Sequence, residues 1–220
     1  MILGEDGKKL SKRHGAVSVL QYREQGYLPQ ALLNYLVRLG WSYGDQEIFS
    51  IDEMTKYFDL EDVNKAASAF NHEKLNWLNQ HYIKTLPVDV VKEELAWHFD
   101  RKNIDTRKGP ALEALITAQK ERAKTLIEMV DKSLCFYQDF DEVDPDAAKK
   151  FLRPVILEPL TALYEGLEGC SDWSEEPLNA EVKGCAERFE LKLGKLAQPL
   201  RVAVTGNTMS PSIDVTLRLL

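Results

Sequence analysis

The stretch YLPQALLNYLVRLGW, Tyr27 to Trp41, carries a helix complete with its own start and stop. Pro29 stands where a first helical residue has no intrahelical partner for its N–H, so it opens the helix rather than breaking it. Leu32, Tyr35, Leu36 and Leu39 then recur at i, i+3, i+4 and i+7 as one apolar stripe, and Gly40 ends it. The same punctuation repeats outward. Ser18 caps a short helix that stops at Gly26, and Asn71 caps one whose buried stripe is Leu75, Leu78 and Tyr82. Pro87 opens a helix with Val88, Val91, Leu95 and Phe99 or His98 inward. Pro110 begins a longer periodic stretch to about Phe140, in which Thr125-Leu126-Ile127-Glu128 has capping-box spacing and predicts a break near Lys124. Asp144-Pro145 begins the next helix, Asn179 one with Val182, Ala186, Phe189 and Leu193 inward, and Ser210-Pro211 the last. Strand signals are few: Val17–Val19, Ile48-Phe49, and Met1-Ile2-Leu3 entering a tight turn at Gly4-Glu5-Asp6-Gly7. The fold class is mainly α.

Composition agrees with a globular chain. Hydrophobic residues make up 44% and charged residues 29% of 220, enough apolar side chain for a core. No apolar run approaches the roughly 18 residues of a membrane span and no secretory leader is evident, so the expected location is cytoplasmic, with no membrane partner. Cys135, Cys170 and Cys185 are widely spaced with no histidine at metal spacing; they are expected to be buried thiols, and no metal site is expected. The four tryptophans, Trp41, Trp77, Trp97 and Trp173, are expected in the core.

A net charge of −7 would ordinarily argue against a nucleic-acid partner, since such affinity comes largely from neutralising phosphates. The charge is unevenly distributed. Basic islands lie at 1–40, 101–124 and 183–201, and residues 41–65 are strongly acidic. Each island alone is compatible with a solvated helix face, and together they could line a groove.

The first island contains GEDGKKLSKRHG, Gly4 to Gly15, four basic side chains around one serine between glycines. Ser11 has no base-and-orienter pair, so it is a loop-structuring hydroxyl rather than a nucleophile, and His14 is structural. Lys9-Leu10-Ser11-Lys12-Arg13 resembles the KMSKS signature of class I aminoacyl-tRNA synthetases. With Ser11–Gly15 followed by Ala16-Val17-Ser18-Val19, and with YLPQALLNYLVRLGW, FNHEKLNWLNQHY (Phe70–Tyr82) and KLGKLAQPLRVAVTG (Lys192–Gly206) in the same order, the chain resembles bacterial glutamyl-tRNA synthetases over essentially its whole length. No HIGH-type motif accompanies the signature, and both ends look cut, so the expectation is a C-terminal fragment without the nucleotide-binding half and inactive alone.

The resemblance implies a small mixed α/β stem-contact domain with the signature loop at 1–86, then two all-α helical-bundle anticodon-binding domains at 87–140 and 141–220, the last truncated. Glutaminyl relatives end in β-barrels and the glutamyl-queuosine type lacks an anticodon half, which the helical run from residue 88 speaks against. The implied partners are tRNA(Glu) and, in the intact monomeric enzyme, ATP with Mg²⁺ and L-glutamate; no cofactor is expected on the fragment. Lys9 and Lys12 are the implied catalytic residues, bringing ammonium groups to the phosphates as pyrophosphate leaves, with Lys12 and Ser11 at ATP. Arg201, Ser210 and Ile213 match family positions at the anticodon. Arg122 and Lys124, just before the Thr125 cap, are further tRNA-contact candidates or simply an exposed helix end. The alternative is a helical RNA- or protein-interaction module that keeps the KLSKR loop as a relic.

Overall fold

The computed structural model describes residues 1–4, 6–11 and 18–220. Contacts divide the chain into two units, Met1–Arg101 with Gln119–Val130, and Lys102–Ala118 with Asp131–Leu220.

The first unit begins with β1 (Ile2–Leu3), which pairs in parallel with β2 (Ser68–Ala69), Ile2 opposite Ser68 and Leu3 opposite Ala69. The strand then turns as its sequence demands. Gly7 takes φ +71, Gly4 N–H donates to the Lys8 carbonyl at 2.8 Å, and Lys9 bridges back to Leu3. In α1 (Val19–Glu24) Ser18 and Gln21 form a full capping box, so Val19 is helical and not part of a strand; Val17 lies outside the described residues. Next come α2 (Pro29–Arg38), α3 (Ile51–Tyr57), α4 (His72–Thr85) and α5 (Val88–Arg101). The sequence reading passed over α3, although Ser50 and Glu53 cap it reciprocally.

The buried face of α2 departs from the expected stripe. Leu36 is 39% exposed, and Asn34 is fully buried instead. Its amide Nδ2 donates to the Glu47 carbonyl (3.0 Å), and its Oδ1 accepts from Phe49 N–H and from the Tyr82 hydroxyl, both at 2.8 Å. Ile48-Phe49 is therefore irregular chain, not a strand: side chains from α2 and α4 satisfy the backbone of Phe49, whose carbonyl also accepts from Tyr82. Asn79 on α4 does the same for a second loop. It accepts from Leu28 N–H (2.8 Å) and donates to the carbonyls of Gly26 (3.2 Å) and Lys124 (2.7 Å).

Among the tryptophans only Trp41 is buried. Trp77 and Trp173 are 45% and 46% exposed, and Trp97 lies under the guanidiniums of Arg23 and Arg101 at 4.3 and 4.8 Å from its ring centre. Trp77, with Lys74 4.3 Å from its ring centre, and Trp97 are surface rings covered by cations, and Trp173 edges an apolar groove with Leu160, Tyr164 and Leu217, so none of the three is core. Of the thiols, Cys185 is buried, and Cys135 is partly buried with its pKa pushed up to about 11 by desolvation.

Residues 110–140 break where the sequence predicts, between α6 (Leu112–Gln119) and α7 (Leu126–Asp131). The capping pattern is shifted by one residue. Thr125 Oγ1 accepts from Glu128 N–H, but the Glu128 carboxylate reaches the N–H of Lys124 at 2.7 Å.

The second unit packs α8 (Pro145–Phe151), α9 (Leu157–Glu168), α10 (Glu175–Arg188), α11 (Leu193–Thr205) and α12 (Ile213–Leu219) around Leu163, Leu178, Val182, Leu196, Leu200 and Leu217. Asp144 caps α8 as expected, accepting from Ala147 N–H at 2.7 Å. Asn179 does not begin α10. The helix starts four residues earlier after Ser174, and Asn179 instead donates to Asp214 at 3.2 Å. Likewise α12 starts after Ser212 rather than at Ser210-Pro211. The helix α11 runs through Pro199 and closes on Gly206 at φ +74, whose carbonyl accepts from Asp144 N–H.

Candidate nucleic-acid interface

Near the end of α11 the chain builds a braced turn. Arg201 donates from Nε to Ser210 Oγ (2.7 Å), from Nη2 to the Pro211 carbonyl (2.8 Å), and from Nη1 to the Gln198 amide oxygen. Ser210 Oγ also lies 2.7 Å from Thr216 Oγ1, which donates to the Pro211 carbonyl. One planar guanidinium thus fixes Ser210 and Pro211 against the end of α11, a geometry that a lysine's single ammonium could not reproduce. Ser210 and Ile213 are each only 7% exposed, so they shape the turn from within. Arg201 itself is half-buried at its edge.

Arg122 and Lys124 are exposed in the connection between α6 and α7. Their backbone is well held, since the Lys124 N–H and carbonyl are taken by Glu128 and Asn79. Lys9 is exposed on the turn after β1, and Ser11 is partly covered beside it. Lys12, Arg13 and His14 lie outside the described residues. The structure therefore brings Arg201, Ser210 and Ile213 together and places Lys9 near Ser11.

Many cations of the first unit are already spent on internal pairs. Glu47 holds both Lys74 (2.9 Å) and Arg38 (3.2 Å), and the Lys74 hydrogen bond, helped by Arg38, keeps the Glu47 carboxyl below its ordinary pKa. Arg23 pairs with Glu94, Arg101 with Glu24, and Lys84 with Glu121. Charge runs along the sequence thus overstate the positive surface. The sequence reading also missed Asn34 and Asn79, whose partners lie 13 to 53 residues away.

Comparison with known proteins bears on this arrangement. Residues 88–220 match the family model described as the anticodon binding domain, and residues 1–77 match the catalytic domain of the class I (E and Q) tRNA synthetases. Among solved structures, a glutamate tRNA ligase from Elizabethkingia meningosepticum aligns over 100% of this chain and 47% of its own, at 30% identity and a TM-score of 0.83. The chain belongs to the glutamyl-tRNA synthetase family. A glutamate-tRNA synthetase from Elizabethkingia anophelis, also 30% identical with the same coverage, aligns at a TM-score of 0.78. The chain spans about half the length of these glutamyl-tRNA synthetases. The match over 1–77 adjusts one expectation: the N-terminal part is a piece of the family's catalytic domain, so part of that domain is present. Among the described residues, no group of three acidic, histidine or cysteine side chains could hold a metal ion, and no helix is long and apolar enough to cross a membrane.

Proposed function

We propose that this chain is the tRNA-binding part of a glutamate-tRNA ligase, which joins glutamate to tRNA(Glu) through a glutamyl adenylate. The observation that carries it is the anticodon-binding match over 88–220 in a chain whose residues 9–13 read KLSKR. In this reading residues 1–86 carry the signature loop and contact the tRNA stem, and 87–140 and 141–220 are the anticodon-binding parts. Arg122 and Lys124 hold tRNA phosphates, where exposed cations on a fixed backbone position the duplex without reading sequence. The turn braced by Arg201 reads the anticodon, with Arg201 at its edge and Ser210 and Ile213 setting its shape.

The intact enzyme, a cytoplasmic monomer, uses ATP with Mg²⁺ and L-glutamate; ATP supplies the phosphoanhydride that activates the amino acid. Lys9, exposed after β1, fits a phosphate contact and acts with Lys12, while Ser11 shapes the loop. No Mg²⁺ ligand is assigned to the described residues. The 220 residues expressed alone are expected to give no glutamate-dependent pyrophosphate exchange at any tRNA concentration. Exchange above background would place the adenylate site within these residues.

Arg201→Ala tests the anticodon assignment. It is expected to cost about 1–3 kcal/mol in binding tRNA with the glutamate anticodon, and to leave an anticodon-altered tRNA nearly unaffected. Because the guanidinium braces Ser210 and Pro211, unfolding of the variant should be measured alongside and should also shift. An equal loss for both tRNAs would make Arg201 a phosphate contact or a purely structural brace.

A further inference from the structure

The second unit has an open groove of about 530 Å³ that lies away from the Arg201 turn. Its walls come from the end of α8, the short turn at Pro154–Ile156, and the start of α11. Lys195 and Arg201 are six residues apart on α11, which puts them about 120° apart around the helix, so the two features occupy different faces. Phe151, Val155 and Pro199 give the groove an apolar floor, and Val155 is 72% exposed to solvent. Lys150, Arg153 and Lys195 stand around it, all exposed, and no acidic residue lines it. None of the three forms an ion pair with a described residue, in contrast to the paired cations of the first unit. An exposed apolar floor within a ring of unneutralised cations suits an anion that carries a flat apolar face. An unstacked nucleotide has that chemistry: the base covers the floor and the flanking phosphates meet the cations.

We propose that this groove is a second RNA subsite that seats one extruded nucleotide of a single-stranded segment. The proposal rests on the tRNA-binding reading but concerns a different surface from the Arg201 turn.

Two glycines make a matched test. Gly194, in the groove wall, and Gly184, on α10, are both exposed, and a side-chain carbon added at either would meet no atom within 4 Å, so neither substitution clashes at its first carbon. The 220-residue chain is titrated with tRNA(Glu), with a fluorescent ten-nucleotide single-stranded RNA of mixed sequence, and with polyglutamate. Gly194→Trp is expected to weaken the single-stranded RNA about tenfold or more, while Gly184→Trp binds as wild type. Lys150→Ala, Arg153→Ala and Lys195→Ala are each expected to reduce the slope of log affinity against log salt by about 0.7. The same RNA carrying 4-thiouridine should cross-link between Phe151 and Val155. If wild type binds neither tRNA nor the short RNA, the tRNA-binding reading and the subsite both fail. If wild type binds tRNA but Gly194→Trp matches Gly184→Trp, the subsite alone fails. Polyglutamate binding as tightly as RNA, with equal loss in Gly194→Trp, would show an anionic-polymer site with no seat for a base.

Discussion

Gly26→Ala is expected to destabilise the first unit by about 3 kcal/mol or more, enough to leave a marginal unit largely unfolded. Two effects combine. Gly26 has φ +87, a conformation that an L side chain adopts at a cost, and its added carbon would lie 2.5 Å from the Ile127 nitrogen and 2.8 Å from the Leu126 nitrogen. Both obstacles are backbone at the start of α7, and Leu126 N–H donates to the Gly26 carbonyl at 2.9 Å, so withdrawal would break the bond that joins the segments. Gly44 provides the control, with φ +54 but nothing within 4 Å of an added carbon. Urea unfolding of Gly44→Ala should therefore register the conformational cost alone, about 1 kcal/mol. If Gly26→Ala unfolds at the same urea concentration as Gly44→Ala, the approach of Gly26 to α7 is not tight.

Asn79→Ala is expected to cost a comparable amount, about 3–5 kcal/mol, by a different route. The substitution opens little volume but strands the Leu28 N–H and deprives the Gly26 and Lys124 carbonyls of a donor. Leu28 and Asn79 are fully buried, so water cannot readily replace the lost amide at that N–H. Asn79→Asp keeps the acceptor for Leu28 but turns a second oxygen toward the two carbonyls, and should also be destabilised at neutral pH. Thermal unfolding of both variants against wild type checks the pair. A loss below about 1 kcal/mol for Asn79→Ala would mean that these backbone groups find other partners.

Because the side chain at Asn79 links residues 26–28 to residue 124, α1, α2 and the approach to α7 should unfold together rather than piecemeal. None of this is visible locally in the sequence. Helix starts were legible because a cap and its target lie within three residues: Ser18, Pro29, Asn71 and Asp144 all stand where their neighbours demanded. Asn34 and Asn79 read as ordinary polar residues on helices, since their partners come from distant chain segments. Leu36 followed the apolar stripe and is exposed, because hydrophobic spacing identifies a face of α2 but not where its edge falls. Helix α11 was hidden by Pro199, and the true start of α10 by the polar residues that precede Asn179. At the candidate site, Arg201 stood out only through resemblance. The brace it forms, and the burial of Ser210 and Ile213, depend on how the turn folds back on α11.

Lys150, Arg153 and Lys195, exposed and in no ion pair with a described residue, beside the internally paired cations of the first unit, also show why a net charge of −7 need not exclude RNA. Phosphate binding responds to local, unneutralised charge, which a whole-chain sum conceals.

The most direct test of tRNA recognition is a binding titration of the wild-type chain against tRNA(Glu) and against the same tRNA with one anticodon base changed, at a single fixed salt concentration. Tighter binding of the glutamate anticodon, by about tenfold or more, is the expected result. Equal affinity for the two tRNAs would contradict anticodon reading by these residues, and no binding of either would remove the tRNA-binding role altogether.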